Sequence, residues 1–180
     1  MNGKAWTQII LAVLLMYNVF LVRVMTPHAE EMRRFAGDWG APDGHLYYTA
    51  DKLYAEIGQW DQAGREHYIN FRLSLDPVWA LLYTSFLIVT ISVCTRRLFA
   101  PESRVHLLNL LPLIPMLADL TENFLGIALV ANLPERLDML ALITASVTAT
   151  KWSTLIVAHI LMLLLVICAV WVELKERYLD

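Results

Sequence analysis

Four stretches of this chain are almost free of charge, and each is about as long as the apolar core of a membrane is thick. They are Trp6–Val22, Val78–Cys94, Leu107–Val130 and Trp152–Val172. A hydrocarbon core of ~30 Å needs about 20 helical residues, and a helix satisfies its own backbone polar groups inside lipid. The sequence therefore predicts an all-α fold, a four-helix transmembrane bundle with spans at about residues 5–25, 77–95, 107–131 and 150–172.

The composition also indicates that much of the chain is surrounded by lipid rather than by water. Hydrophobic residues make up 58% of the 180 residues and charged residues only 17%, whereas about a quarter of a soluble domain is charged. The whole chain, residues 1–180, is predicted to be one integral membrane domain. A net charge of −3, without a basic stripe, gives no sign of nucleic-acid binding.

The N-terminal apolar stretch is predicted to stay in the protein as a membrane anchor. Lys4 precedes it, as a basic residue precedes the apolar region of a secretory signal. The stretch is longer than the ~7–15 apolar residues of a signal, and Val22–His28 offers no small-residue cleavage site.

The basic residues of the short loops set the expected orientation. The loop Cys94–His106 carries three arginines against one acid, and lysine or arginine also flanks both ends of the chain. These residues are Arg96, Arg97, Arg104, Lys4, Lys175 and Arg177. By the positive-inside rule they belong in the cytoplasm, which places both termini there and the segment after the first span outside.

That outer segment, about residues 27–75, is predicted to be a helical extracytoplasmic insertion between the first two spans. Turn residues from Pro27 to Gly44 interrupt its first half, and Thr49–Ile57 and Trp60–Leu73 have the pattern of two short helices. Its many aromatic residues indicate an ordered cap at headgroup level. Asp76 is expected to cap the second span, with Pro77 at its first helical position.

The fourth apolar stretch allows two arrangements. Asn132 to Glu135 has the pattern of a helix start, and helical sequence continues to Val172, about 58 Å at 1.5 Å per residue. That length exceeds any bilayer core. Either Pro134–Thr150 forms a separate interfacial helix, or one long helix projects outward against the cap.

Polar residues inside the third apolar stretch are the main functional signal. Asp119, Glu122 and Asn123 lie three and four residues apart, so they share one face of a helix. Intramembrane acids are rare and by default mark a functional site. Two carboxylates in a poorly solvated site divide naturally into an acid and a base.

Counting depth along the helices brings other polar groups to the outer half of the membrane. Asp119 and His159 come out at a similar depth, and Lys151 is long enough to reach Glu122. The predicted catalytic residues are Asp119, Glu122 and His159. The predicted ligand-binding residues are Asn123, Lys151, Arg65, Tyr68, Asn18 and Ser85. The alternative is structural, with the acids in an ion pair with Lys151 or Arg65, and Asn18 and Ser85 in helix-to-helix hydrogen bonds.

Three classes of function remain open. In the first, the acidic pocket binds a lipid-like or amphipathic molecule and carries out acid–base chemistry on it. In the second, the acids carry protons or cations, although a four-helix chain without an internal repeat lacks the inverted halves of many transporters. In the third, the chain assembles with itself or with another membrane protein through the acids. Metal and cofactor motifs such as HExxH or a phosphate-binding loop do not occur, so neither is expected.

Several polar motifs, in the same order, resemble those of a family of small bacterial four-helix membrane proteins without an assigned function. They are Gly64-Arg65-x-x-Tyr68, Asp76-Pro77, Ala118-Asp119-Leu120-x-Glu122-Asn123 and Lys151-Trp152, spread from about Tyr48 to His159. The resemblance implies a multi-pass protein of the bacterial cytoplasmic membrane and transfers no activity. A more distant similarity to sterol-isomerase-like membrane bundles, which have acids facing an internal pocket, bears only on what such a pocket can do.

The orientation can be tested with single cysteines in a variant that lacks Cys94 and Cys168. We expect a membrane-impermeant maleimide to label Glu56→Cys in sealed spheroplasts, and to label Glu102→Cys only after the membrane is opened, because the arginine-rich loop stays inside. Labelling in the reverse order would place the cap in the cytoplasm.

Overall fold

The computed structural model describes residues 3–178, with side chains for residue 8 and residues 11–176, and this part of the chain is α-helical without strands. The side chains of Lys4, Trp6 and Arg177, used in the sequence argument, lie outside this range. The helices are α1 (Gly3–Phe20), α2 (Thr26–Ala36), α3 (Ala50–Ile57), α4 (Gln62–Leu98), α5 (Leu113–Ala131) and α6 (Asp138–Tyr178). The predicted all-α class is confirmed.

Four helical segments of the described chain are long and apolar enough to cross a membrane. They are Leu11–Trp39, Gln62–Leu98, Arg104–Ala131 and Asp138–Glu176. Large apolar side chains on their outer faces are exposed, among them Leu117, Phe124, Ile160, Leu164 and Trp171. A soluble monomer rarely exposes so much apolar surface. The length of these helices and their exposed apolar surface therefore agree with a multi-pass membrane protein.

Helices α1 and α2 form one continuous rod, joined by a π-helical turn, Leu21–Met25. The backbone N–H of Thr26 bonds to the carbonyl of Leu21, and its hydroxyl donates to the same oxygen at 3.1 Å. Pro27 follows this turn directly and has no N–H to offer, so one backbone hydrogen bond of the rod is missing at the junction. The interpretation of Pro27 as a turn is therefore wrong, since helix continues to Ala36.

Helix α4 runs unbroken for 37 residues, about 55 Å, with Pro77 inside it. The prediction that Asp76 caps a new helix is wrong, because Asp76 is buried in mid-helix and paired with Arg72 one turn earlier. Asp61 caps the N-terminus instead, accepting a hydrogen bond from the Gly64 N–H at 2.8 Å. The Arg72–Asp76 pair bridges the turn in which Pro77 removes a backbone hydrogen bond.

Helix α6 resolves the two arrangements left open for the fourth apolar stretch. It is a single helix of 41 residues from Asp138 to Tyr178. The expected start at Asn132 to Glu135 is wrong, since these residues form the turn between α5 and α6. One long helix therefore carries both Lys151 and the apolar segment after it.

Residues 37–61, called the cap segment here, pack against the adjoining ends of α5 and α6. Thr49 caps α3, accepting from the Lys52 N–H at 3.2 Å. A first apolar core joins this segment to the ends of α5 and α6. Its buried members include Met32, Leu53, Ile57, Trp60, Leu129, Val130, Ala141 and Ala145.

A second apolar core fills the other end of the bundle. It includes Ala80, Tyr83, Leu87, Ile91, Ala158, Met162 and Leu165, from α4 and α6. Between the two cores, the buried positions of α4, α5 and α6 are occupied by charged and polar side chains. The fold thus encloses a polar layer between two apolar cores.

Close approach of α4 and α5 next to this layer depends on Gly126. A Cβ at that position would lie 2.4 Å from the Tyr68 hydroxyl oxygen. We expect Gly126→Ala to lower the free energy of unfolding by about 1–3 kcal/mol, although alanine favours the helix by about 1 kcal/mol. Adding Tyr68→Phe removes the clashing oxygen and should restore most of the loss. Chemical unfolding in detergent measures both, and a fully stable Gly126→Ala would contradict this packing.

Candidate functional site

The polar layer is the candidate functional site. Three helices supply its side chains, all of them buried, and the cap segment closes it at one edge. The members are Arg72 and Asp76 from α4, Asp119, Glu122 and Asn123 from α5, and Thr148 and Lys151 from α6.

Lys151 joins α6 to both acids of α5. Its ammonium nitrogen lies 2.5 Å from Glu122 Oε2 and 3.5 Å from Asp119 Oδ1. The reach of Lys151 to Glu122 was predicted from helix depth and is confirmed. All three side chains are at most 6% exposed, so water screens these charges little. Such a pair is costly to break, because removing one partner leaves an uncompensated buried charge.

Thr148 continues the network toward the cap segment. Its hydroxyl donates to Glu122 Oε1 at 2.5 Å, and the Tyr48 hydroxyl lies 3.4 Å from the same threonine oxygen. Burial raises the pKa of Tyr48 to about 12, so this hydroxyl keeps its proton at neutral pH and can donate to Thr148. A hydrogen-bonded path therefore leads from Glu122 to the underside of the cap segment.

Arg72 is the second buried cation and binds three parts of the chain together. Its Nη1 donates to Asp76 Oδ2 at 2.9 Å and to Asn123 Oδ1 at 2.8 Å, and its Nη2 pairs with Asp43 of the cap segment. The guanidinium also lies 4.9 Å from the centroid of the Tyr68 ring, within cation–π distance. One side chain thus joins α4, α5 and the cap segment.

Asp43 anchors the cap segment to the bundle at two points. Besides the Arg72 pair, its carbonyl accepts from the Trp152 indole N–H at 2.8 Å. Burial on its own raises the pKa of Asp43, but Arg72, Lys151 and smaller contributions together outweigh burial and hold the pKa below its ordinary value. A lowered pKa means that the pair stabilises the fold at neutral pH and that this contribution is lost as the pH falls through the acid range.

Asp119 has a second partner on the other side of the layer. The Tyr83 hydroxyl donates to Asp119 Oδ2 at 3.2 Å. Tyr83 belongs to α4 and lies about two turns beyond Asp76 and three beyond Arg72, in the second apolar core. Tyr83 therefore connects the buried acids to an apolar groove on the outside of the bundle.

An apolar groove runs along α6 beside Tyr83, with α1 and α4 forming its other walls. Its volume is about 390 Å³, within the range of small-molecule sites. Its lining residues are Tyr17, Trp79, Tyr83, Trp152, Leu155, Ile156, His159, Ile160 and Leu163. Ile156, Ile160 and Leu163 are about half exposed, so the groove opens sideways from the bundle.

The residues predicted from sequence fall into three groups. Asp119, Glu122, Asn123 and Lys151 meet in the polar layer, and Tyr68 stacks beside Arg72 at its edge. His159 is not in contact with the acids. It lines the groove, and its Nδ1 bonds to the Leu155 carbonyl at 2.8 Å.

Three predicted residues lie away from the layer. Arg65 donates from Nε to the Trp60 carbonyl at 3.0 Å and lines a shallow pocket next to Arg136. Asn18 is exposed and donates to the Leu14 carbonyl at 2.8 Å within its own helix. Ser85 is exposed on the outer face of α4. The expected contribution of α1 to the layer through Asn18 is therefore not observed.

Sequence reasoning missed three members of the layer as site residues, Arg72, Asp76 and Thr148, and it also missed their neighbours Asp43 and Tyr83. The i,i+4 spacing of Tyr68, Arg72 and Asp76 was a usable signal, since it places an aromatic ring, a cation and an acid on one helical face. Asp43 is distant in sequence and carried no such signal. Among the described residues, no group of three His, Cys, Asp or Glu side chains is arranged to hold a metal ion.

No family model, curated protein or solved structure matches this chain. The resemblance to small bacterial four-helix membrane proteins therefore stays an expectation, and function has to be argued from the layer and the groove.

The charge balance of the layer can be tested with Lys151→Met. We expect the variant to lose about 3–5 kcal/mol of unfolding free energy, because Glu122 and Asp119 are left without their cation. Adding Glu122→Gln should recover part of the loss, since it removes the acid nearest to the missing ammonium.

Chemical unfolding in detergent compares these variants with Lys175→Met, the same substitution at an exposed lysine of α6. We expect Lys175→Met to change the unfolding free energy by less than about 0.5 kcal/mol. Equal effects at the two lysines would contradict the ion pairing described for Lys151.

Proposed function

We propose that this protein is an integral membrane protein that binds a lipid-like or amphipathic molecule in the groove between α1, α4 and α6. The observation that carries the proposal is the Tyr83 hydroxyl, which lines the groove and hydrogen-bonds to buried Asp119. An apolar pocket with a few polar groups is the usual form of a ligand site. Here one of those polar groups, the Tyr83 hydroxyl, is hydrogen-bonded to a buried acid.

Acid–base chemistry on the bound molecule is the second part of the proposal. Three fully buried carboxylates, on Asp76, Asp119 and Glu122, face two buried cations, Arg72 and Lys151. In a low-dielectric layer this excess negative charge is costly, and one bound proton removes it. Asp43, whose side chain is a quarter exposed, adds a further carboxylate at the edge of the layer.

Asp119 is the carboxylate best placed to hold that proton. Asp76 lies 2.9 Å from Arg72, and Glu122 lies 2.5 Å from Lys151 with a further bond from Thr148. Asp119 lies 3.5 Å from Lys151 and otherwise has the Tyr83 hydroxyl. It would face the ligand through Tyr83, whose hydroxyl keeps its hydrogen bond to Asp119 Oδ2, while Glu122 holds Lys151 in place.

His159 completes the groove as the residue that orients the ligand. It lines the groove together with Tyr83 but makes no contact with the acids, and its ring is fixed through Nδ1 on the Leu155 carbonyl. We therefore give His159 a direct contact with the ligand and give Asp119 a role one hydrogen bond further away.

The geometry gives less support to the other two classes. An assembly role needs acids that are free for a partner's basic residue, yet Lys151 and Arg72 already pair with the buried acids. A transport role needs a polar path to both faces, but on the side away from the cap segment the layer is followed by the apolar core around Leu87, Ile91 and Leu165.

The proposed setting is the bacterial cytoplasmic membrane, with the cap segment outside and both termini in the cytoplasm. Lipids of that membrane are then the natural partners of the groove. The supporting observations are the four apolar helices and the arginines Arg96, Arg97 and Arg104 near one end of the bundle.

Native mass spectrometry of the protein, gently extracted from its own membrane, tests for a bound molecule. Ile160→Trp fills the groove from its lip, whereas Ile167→Trp adds the same ring to an exposed site of α6 outside the groove. We expect a discrete lipid-like adduct on the wild type and on Ile167→Trp, and none on Ile160→Trp. An adduct retained in full by Ile160→Trp would contradict binding in the groove.

A further inference from the structure

We infer that the ligand of the groove is an uncharged lipid alcohol, held by its hydroxyl among Tyr17, Tyr83 and His159. This inference rests on the proposed function, because it names the chemical class of the molecule bound there. It follows from the charges, the hydrogen-bonding groups and the shape of the groove.

A charged headgroup has no partner among the described residues of the groove. None of the described lining residues is Asp, Glu, Lys or Arg. Lys151 is adjacent to the lining residue Trp152, but its ammonium is directed to Glu122 and Asp119. An unpaired ion in an apolar site carries a large desolvation cost. The part of the ligand that enters the groove is therefore neutral.

Two groups of the groove are left as hydrogen-bond acceptors. His159 Nδ1 bonds to the Leu155 carbonyl, which only accepts, so Nδ1 carries the hydrogen and Nε2 of the neutral ring is an acceptor. The Tyr83 hydroxyl donates its hydrogen to Asp119, so toward the ligand only the lone pairs of its oxygen are available. Both groups require a donor on the ligand.

Tyr17 supplies the complementary donor. Its hydroxyl makes no hydrogen bond with the described residues that accounts for its proton, and it lines the same groove. A ligand hydroxyl donates to an acceptor and accepts from Tyr17 at the same time. An ester or ketone oxygen can only accept, and an amine would be charged, so an alcohol matches the set best.

The apolar body of the ligand lies along α6. From Trp152 to Leu163 the groove extends about 16 Å along the helix axis, and the Tyr17 and Trp79 rings, 4.8 Å apart, form the facing wall. In a bilayer, a hydrocarbon chain gains little by moving from lipid to protein. Selection therefore depends on the hydroxyl contacts and on the fit to the rings.

Photo-cross-linking with three matched probes tests the inference on the whole protein in lipid nanodiscs. The probes share one diazirine-bearing long chain and end in a hydroxyl, a carboxylate or a methyl group. We expect the alcohol to label peptides of α4 and α6 that line the groove about tenfold more than the other two, as the loss of one or two hydrogen bonds implies.

The variants separate the hydroxyl contacts from general lipid contact. Tyr17→Phe and His159→Leu should each reduce alcohol labelling toward that of the methyl probe, whereas Ser146→Ala, an exposed serine of α6 outside the groove, should not. Thermal unfolding in detergent confirms that each variant is folded, and neither Tyr17 nor His159 takes part in the buried ion network.

Each further outcome overturns a defined part of the account. Equal labelling of the groove by all three probes, or preference for the carboxylate, overturns the alcohol and leaves binding in the groove intact. Absence of groove labelling by every probe, with normal folding, overturns the proposed function together with the ligand class.

Discussion

Two buried cations have to be neutralised where three helices meet, and most of this structure follows from that requirement. Arg72 draws Asp76, Asn123 and the cap-segment residue Asp43 to itself, and Lys151 draws Glu122 and Asp119. The contacts of Arg72 with Asn123 and of Lys151 with Glu122 and Asp119 each fix the rotation of one helix relative to another. Displacement of a helix by one residue would leave a charge unpaired in a medium that solvates it poorly, so the layer specifies how α4, α5 and α6 pack.

The polar layer lies between two apolar cores, and on each side one hydrogen-bonded path leads out of it. Toward the cap segment the path runs through Thr148 and Tyr48, and toward the groove it runs through Tyr83. An ion network without contact to any pocket could serve only to hold the helices together. In a network open to solvent, the charged side chains would be hydrated. A network that touches the groove through a single hydroxyl can hold a proton beside a neutral ligand without admitting an ion.

How much of this could be predicted from sequence depended on whether the signal was local. Apolar runs of 17 residues or more predicted the all-α class, and the spacing of Asp119, Glu122 and Asn123 predicted their common face, because helical periodicity is a property of near neighbours. The contact between Lys151 and Glu122 could be predicted because the depth of each residue was counted from the end of its helix. Asp76-Pro77 misled, since a proline after an acid is typical of a helix start, and only the packing of Arg72 shows that α4 continues. Asn18 and Ser85 had the right depth but the wrong rotation, which depth counting does not include.

The central claim is that Asp119 holds the proton of the layer and accepts a hydrogen bond from Tyr83. Infrared spectroscopy of the detergent-solubilised protein at neutral pH tests it through the carbonyl stretch of a protonated carboxylic acid. The account predicts such a band in the wild type, its loss in Asp119→Asn and its shift in Tyr83→Phe. A wild type without this band, or a band unchanged in Asp119→Asn, would contradict it.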